Sequence, residues 1–131
     1  AIAHQLPHLK GVIVTTDTGE CRYCFTRSTT PTGIISTQIA GKVAGTLAGF
    51  QVDIEDTAGM QDAFTAGFLH QLLLQGLPCL YDSDCARQVV SYASAVSALT
   101  ITRVGAIAAF PTPNEVEAFL YLNASQRFNP S

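Results

Sequence analysis

The sequence predicts an α/β domain, and three observations lead to that class. Residues 11–16 form an apolar, β-branched run that is typical of a buried parallel strand. Residues 50–55 form a second extended run, and residues 64–74 form a helical run. A glycine-bearing turn joins the last two, with the sequence Asp56-Thr57-Ala58-Gly59-Met60-Gln61-Asp62. An extended run that leads through such a turn into a helical run predicts a domain built from both strands and helices.

The first strand is followed by a turn and a return strand. Gly19 permits the turn, and residues 21–26 form the second strand. Residues 27–48 fit no regular element well, and we interpret them as an atypical insertion or an altered strand pair. Within this stretch residues 34–39 are predicted as a short strand, and the following glycines are expected to interrupt any regular element: Gly41, Gly45 and Gly49.

Three helices are predicted in the second half of the chain. The first covers residues 62–75, and Gly76 and Pro78 end it. Its apolar side chains share one face, which comprises Phe64, Phe68, Leu69, Leu72 and Leu73. The second covers about residues 85–99 behind a cap at Ser83 or Asp84, with Val89, Val90, Ala93 and Val96 facing inward.

The third helix has a clear N-terminal signal. Thr112 is predicted to cap it, Pro113 is its first residue, and Glu115 completes a capping box. The tail from residue 124 to residue 131 is expected to be loose.

Length and composition bound the class of protein. A chain of 131 residues is predicted to form a single domain, residues 1–131. With 47% hydrophobic and 13% charged residues it is globular rather than disordered. The formal net charge of -3 and the lack of a basic cluster exclude nucleic acid as an expected partner. No apolar run approaches the roughly 20 residues of a transmembrane helix, so no membrane partner is expected.

The spacing of the four cysteines does not predict a metal site. Cys21 and Cys24 lie on a predicted strand, where positions three apart point to opposite faces. No second pair completes a tetrahedral site. We interpret these two and the pair that flanks a later turn, Cys79 and Cys85, as reduced thiols of a cytoplasmic protein.

The turn at residues 56–62 is the strongest candidate for chemistry. A glycine-bearing turn between a strand and a helix places backbone N–H groups where they receive an anion. A carboxylate at the end of the turn lies beside any phosphate held there. Phosphoryl transfer to an alcohol needs both features, so Asp62 is the candidate general base. Capping the helix is a compatible structural role for the same residue.

The same stretch resembles the second signature of the PfkB (ribokinase-like) carbohydrate kinases, Asp-Thr-x-Gly-Ala-Gly-Asp followed by Ala-Phe. In this chain it stands as Asp56-Thr57-Ala58-Gly59-Met60-Gln61-Asp62-Ala63-Phe64. Met60 replaces the alanine and Gln61 replaces the second glycine.

Three further segments match this family in the same order, so the resemblance covers about residues 11–122. Residues 11–19 resemble the family's strand and turn beside the nucleotide phosphates. Residues 86–106 resemble its alanine-rich helix and the loop beside the adenine, and residues 111–120 resemble its closing helix. The resemblance implies a three-layer α/β sandwich, truncated here to the C-terminal part of a mostly parallel sheet with flanking helices.

The resemblance also implies cofactors and residue roles. ATP with Mg²⁺ is the implied cofactor, with K⁺ as an additional ion. Asp62 is implied as the catalytic residue, and Asp56 lies near the position of the monovalent-cation site, with ordering of the turn as its structural alternative. The implied nucleotide contacts are Thr16, Gly19, Gly59, Met60, Gln61, Ser94, Gly105 and Ala106.

Two departures from the family pattern bear on activity. Gln61 places a Cβ and a long polar side chain where a glycine lets phosphate approach, at a cost of about 1 kcal/mol if that position requires a positive φ. Asp17 stands where the phosphate turn has its first glycine, and a carboxylate there repels phosphate. A working site with a changed entrance and a blocked site both remain open.

Two function classes follow from the resemblance. One is the ATP-binding and catalytic half of a sugar kinase, impaired as an isolated chain because the half that holds the sugar is missing. The other is a non-catalytic nucleotide-binding or oligomerisation module that descends from such a kinase. Half of a sheet exposes an edge and an apolar face. We therefore expect a homodimer, a higher oligomer or a complementary N-terminal half as the partner.

Overall fold

The computed structural model describes residues 10–26, 42–105 and 110–127. These residues form a small sheet and a group of helices. The three strands are β1 (Gly11–Thr15), β2 (Cys21–Thr26) and β3 (Lys42–Leu47). A short 3₁₀ helix, Leu77–Tyr81, lies among the helices α1 (Met60–Gln75), α2 (Ser83–Ile101) and α3 (Pro113–Arg127).

The described sheet is an antiparallel meander. Its strand order is β1-β2-β3, with Val12 opposite Cys24 and Tyr23 opposite Gly45. The predicted first and second strands are confirmed. The expectation that Gly45 would interrupt regular structure is wrong, because β3 runs through it. A Cβ at Gly45 would lie 2.5 Å from the hydroxyl oxygen of Tyr23, so the tyrosine ring fills the space of the missing side chain.

The predicted parallel sheet is not confirmed in the described part of the chain. Both strand pairs there are antiparallel, and residues 50–55 form no strand. A strand forms only where a neighbouring strand completes its ladder of hydrogen bonds, and no described segment does this for residues 50–55. The backbone N–H groups of Glu55 and Asp56 instead donate to the carbonyl of Ile101, at 2.8 and 3.2 Å.

The three predicted helices are confirmed, with longer ends. Among the described helices α2 has the most buried residues, and its small residues allow α1 to approach closely. A Cβ at Gly67 of α1 would lie 2.9 Å from Cγ2 of Val96, so any larger residue would push the two helices apart. The expectation of a loose tail from residue 124 is wrong as far as Arg127, because α3 continues to that residue.

The helix caps differ in how well they follow the expected chemistry. Gly59, with φ 77°, caps α1 without a side-chain hydrogen bond, so Asp62 lies in the first turn instead of at the cap. Asp82, in place of Ser83 or Asp84, caps α2. At α3 the predicted capping box is present, because Glu115 N–H donates to Thr112 Oγ1 at 3.3 Å and Thr112 N–H donates to Glu115 Oε2 at 3.0 Å.

The core has two clusters on opposite sides of α2. The larger one joins the inner face of the sheet to α1 and α2 and includes Tyr23, Phe25, Phe64, Val89 and Val90. The smaller one joins α2 to α3 through Tyr92, Val96 and Val116. The predicted apolar face of α1 is narrower than expected. Phe64, Phe68 and Leu72 pack inward, whereas Leu69 and Leu73 are exposed.

The interpretation of Cys79 and Cys85 as reduced thiols is wrong. The two residues form a disulfide, with their Cα atoms 5.2 Å apart, which ties the 3₁₀ helix to the first turn of α2. The turn between them brings the side chains together, which sequence spacing alone does not show. This pair no longer supports the cytoplasmic expectation. Cys21 and Cys24 are not joined by a disulfide, as expected.

No described helix has both the length and the apolar character that are needed to cross a bilayer. The predicted strand at residues 34–39 lies outside the described residues, as does most of the interpreted insertion.

Candidate functional site

The glycine-bearing turn leads directly into α1. Gly59 adopts the left-handed conformation with φ 77°, which glycine alone among the common residues adopts without a steric cost. Met60 N–H donates to the carbonyl of Thr57 at 3.2 Å, and Ala63 N–H donates to that of Gly59 at 2.8 Å. The first amides of a helix have no acceptor within the helix, so this turn directs donors outward at the positive end of the α1 dipole.

A small hollow lies beside this helix end. The turn after β1 contributes Thr15, Thr16 and Gly19, and the first turns of α1 contribute Met60, Gln61 and Phe64. Ser94 and Ser97 of α2 close its far side. The volume of the hollow is about 20 Å³, which is enough for one water molecule.

The fold thus brings together five of the residues predicted as nucleotide contacts from sequence. These are Thr16, Gly19, Met60, Gln61 and Ser94. Gly59 adjoins them as the cap of α1. Gly105 lies elsewhere, against Asp56, and Ala106 lies outside the described residues.

Hydrogen bonds fix the walls of the hollow. Gly19, with φ 85°, closes the turn after β1 by donating its N–H to the Thr16 carbonyl at 3.0 Å. The hydroxyl of Thr16 accepts the Glu20 N–H at 3.0 Å. On the opposite wall Ser97 Oγ donates to the Met60 carbonyl at 3.0 Å, which anchors the start of α1 on α2.

Gln61 has no backbone strain. No residue other than glycine has a positive φ among the described residues, and Gln61 lies within the first turn of α1. The steric cost that a positive φ would impose on Gln61 does not arise, because the helix has already begun at Met60 and a helical φ suits any residue. The side chain, in contrast, reaches across the hollow, where Thr15 Oγ1 donates to Gln61 Oε1 at 3.1 Å.

Asp62 is exposed in the first turn of α1 and does not line the hollow. Asp62 directly follows Gln61 in the chain, and its exposed carboxylate complements the helix dipole. Asp17 is exposed in the turn after β1.

Asp56 holds the signature turn in place. Its Oδ1 accepts the Ala58 N–H at 2.9 Å, and its Oδ2 accepts the Gly105 N–H at 3.1 Å. The first contact is the Asx-type bond considered as its structural role. The second contact ties the turn to the segment that follows α2. No group of three or more His, Cys, Asp or Glu side chains suited to a metal ion occurs in the described ranges.

These two backbone donors, first Ala58 and then Gly105, lower the pKa of Asp56 below its ordinary value of 3.8. The ionised carboxylate therefore stabilises the folded chain above that value, and this contribution is lost as the pH falls through the lowered pKa. We expect Asp56→Asn to be less stable than the parent near neutral pH and to show a shallower loss of stability below about pH 4. Urea unfolding midpoints measured from neutral pH to about pH 2 test this.

The exposed residue Asp53 supplies the control for that measurement, since Asp53→Asn removes a nearby carboxylate and leaves both backbone contacts in place. Parallel pH profiles for the parent and Asp56→Asn would contradict the role given to Asp56.

Sequence reasoning missed three residues of the hollow: Thr15, Phe64 and Ser97. Ser97 lies three positions after Ser94, so both project from the same face of α2, and this spacing was a usable signal. Thr15 was assigned only to a strand and Phe64 only to the core. Their role as walls depends on how β1 and α1 meet, which no local pattern shows.

Solved structures share this arrangement of elements. A fructokinase with bound ATP from Xylella fastidiosa matches with a TM-score of 0.69 and 25% identity, over 88% of this chain and 33% of that chain. A putative ribokinase II from E. coli in complex with ATP and Mg²⁺ matches with a TM-score of 0.64 and 21% identity, over 87% of this chain and 30% of that chain. The described residues therefore have the fold of part of a ribokinase-like kinase.

Curated proteins of similar sequence are also sugar kinases. A probable chloroplastic fructokinase, fructokinase-6 of Arabidopsis thaliana, is 36% identical over 114 residues, which are 87% of this chain and 26% of that protein. An ATP-dependent ribose-1-phosphate kinase of Halopiger xanaduensis is 46% identical over 81 residues, which are 62% of this chain and 23% of that protein. No protein-family model matches the chain.

The chain is a relative of the fructokinases and ribokinases, the PfkB carbohydrate kinases. It spans only about a quarter of the two curated relatives described above. This partial coverage is consistent with the C-terminal half that the order of the motifs predicts.

Proposed function

We propose that this chain supplies the ATP-binding and phosphoryl-transfer part of a carbohydrate kinase. The supporting observation is the meeting of the turn after β1, the glycine-capped start of α1 and Ser94 of α2 around one hollow, with Asp62 in the same first turn of α1. That arrangement combines donors for an anion with a base for a hydroxyl.

The proposed roles follow from position. The amides of Gln61 and Asp62, which follow Met60 in the first turn of α1, would face the phosphates of ATP, with Thr16 and Gly19 on the other side of the hollow. A sugar hydroxyl would attack the γ-phosphorus while Asp62 accepts its proton, and ADP would leave as the bond from the γ-phosphorus to the bridging oxygen breaks. Mg²⁺ would travel with the ATP phosphates and neutralise their charge.

A monovalent cation such as K⁺ is proposed near Asp56. Both of its carboxylate oxygens accept backbone N–H groups, so the protein would add mainly backbone carbonyls and water to such an ion. The nucleoside would lie toward Ser94 and the segment that begins at Gly105.

A sugar-binding part has to come from elsewhere. The chain covers about a third or less of the solved kinases described above, and catalysis requires both substrates to be held within about 3.5 Å of reaction geometry. We propose a complementary N-terminal half as the partner, with self-association as the alternative. Several large apolar side chains along and just after α1 are exposed for such a contact: Leu69, Leu73, Leu74 and Leu77.

Calorimetric titration of the chain with Mg·ATP is the first test. Binding at millimolar ligand or below supports the proposal, and the absence of any heat of binding for both ATP and ADP would overturn it. A second measurement adds the N-terminal half of a fructokinase as a separate chain and follows ADP release with fructose, with ribose and without sugar. Sugar-dependent ADP release would show the catalytic role.

One observation favours the second candidate, a non-catalytic nucleotide-binding or oligomerisation module. The Gln61 side chain lines the hollow and is held by Thr15, and the remaining space of about 20 Å³ is too small for a phosphate. Tight ATP binding without sugar-dependent turnover in the complemented protein would support this candidate over the kinase. Light scattering at micromolar chain concentration would show whether the chain associates with itself.

A further inference from the structure

The side chain of Gln61 spans the hollow between two elements that are distant in sequence. Thr15 at the end of β1 donates its hydroxyl to Gln61 Oε1 at 3.1 Å, across 46 positions of the chain. The hollow behind this contact has a volume of only about 20 Å³. A water molecule fits that space, whereas a phosphoryl group with its three outer oxygens does not.

The contact is also easy to break. It joins two neutral groups in an exposed position, so solvent replaces the lost partner when the bond opens. The glutamine side chain reaches other staggered rotamers by rotation about its own bonds, with no change in α1. Since Gln61 has ordinary helical backbone geometry, its presence costs the fold nothing in strain.

We propose that Gln61 acts as a latch on this hollow: hydrogen-bonded to Thr15 it excludes the terminal phosphates of a nucleotide, and rotated outward it admits them. This inference depends on the proposed nucleotide site and concerns how access to that site is regulated. A latch of this kind lowers apparent affinity by the fraction of molecules in which it is open.

The latch predicts a graded response in three variants. Gln61→Ala removes the side chain and keeps a good helix former, so Mg·ATP should bind about tenfold more tightly than to the parent, a change of about 1.4 kcal/mol. Thr15→Val removes the donor and keeps the glutamine, so affinity should rise about threefold, because the latch opens more often but still has to move. Gln75→Ala, an exposed glutamine at the other end of α1, should leave affinity unchanged.

Calorimetric titration of the four chains with Mg·ATP is the test, with circular dichroism to show that each is folded. If the parent binds Mg·ATP and Gln61→Ala binds no more tightly, the latch is wrong and the nucleotide site stands. If Gln61→Ala binds more tightly and Thr15→Val does not, the hydrogen-bonded latch is wrong and only side-chain bulk matters. If no chain binds Mg·ATP, both the latch and the proposed nucleotide site are overturned.

Discussion

Asp62→Asn is expected to lower the kcat for ADP formation by about 10² to 10⁴-fold in the protein complemented with an N-terminal half. The amide has nearly the shape of the carboxylate but accepts no proton from the attacking sugar hydroxyl. Asp62 is exposed in the first turn of α1 and lines no buried site, so the substitution should leave the fold intact. Affinity for Mg·ATP should change little, because the proposed phosphate donors are backbone amides. Steady-state kinetics with saturating sugar and ATP provide the measurement.

Asp84 offers a matched control for this prediction. It is also an exposed acidic residue in the first turn of a helix, but it lies in α2, on the lining of a different groove. Asp84→Asn should retain the parent kcat. If Asp62→Asn retained the parent kcat as well, Asp62 would only complement the dipole of α1, and its assignment as the general base would be wrong.

The second large effect is expected on stability. Phe64→Ala should lower the free energy of unfolding by about 3 to 5 kcal/mol, because it empties a buried aromatic position. Phe64 is 8% exposed and packs in the larger core cluster with residues of the sheet and α2. It also forms one wall of the candidate site, so its loss should weaken Mg·ATP binding. Urea denaturation followed by circular dichroism measures the stability change through the midpoint.

Leu122→Ala is the control for this substitution. The residue is on α3 and is 75% exposed, so removal of its side chain should change the free energy of unfolding by no more than about 0.5 kcal/mol. A loss of less than about 1 kcal/mol for Phe64→Ala would mean that α1 does not pack on the sheet as described.

The helices were predictable because their signals are local. Thr112, Pro113 and Glu115 are enough to specify how α3 begins, and the structure shows both hydrogen bonds of the capping box. The inward face of α2 was likewise predictable from the spacing of its valines and alanines. Such signals depend on helical periodicity and on side chains that bond to nearby backbone, and neither requires knowledge of the rest of the fold.

The strands were harder to predict because a strand depends on its partner. The glycines at positions 41, 45 and 49 were expected to interrupt any regular element, yet β3 forms between the first and the last of them, with the Tyr23 ring over Gly45. Residues 50–55 have a strand-like composition, yet they join no sheet in the described part of the chain. The disulfide between Cys79 and Cys85 was hard to predict for the same reason, since only the path of the turn brings the two cysteines together.

For the candidate site, the sequence by itself determined which residue types are present: a glycine at position 59, a carboxylate at position 62 and a glutamine where the PfkB signature that it resembles has a glycine. Only the tertiary structure decided that the turn after β1 meets α1 and α2 around one hollow, and that the Gln61 side chain crosses it to Thr15. Backbone conformation follows from local sterics, which each residue carries with it. The size and occupancy of a cavity depend on side chains that are far apart along the chain, and packing alone brings them together.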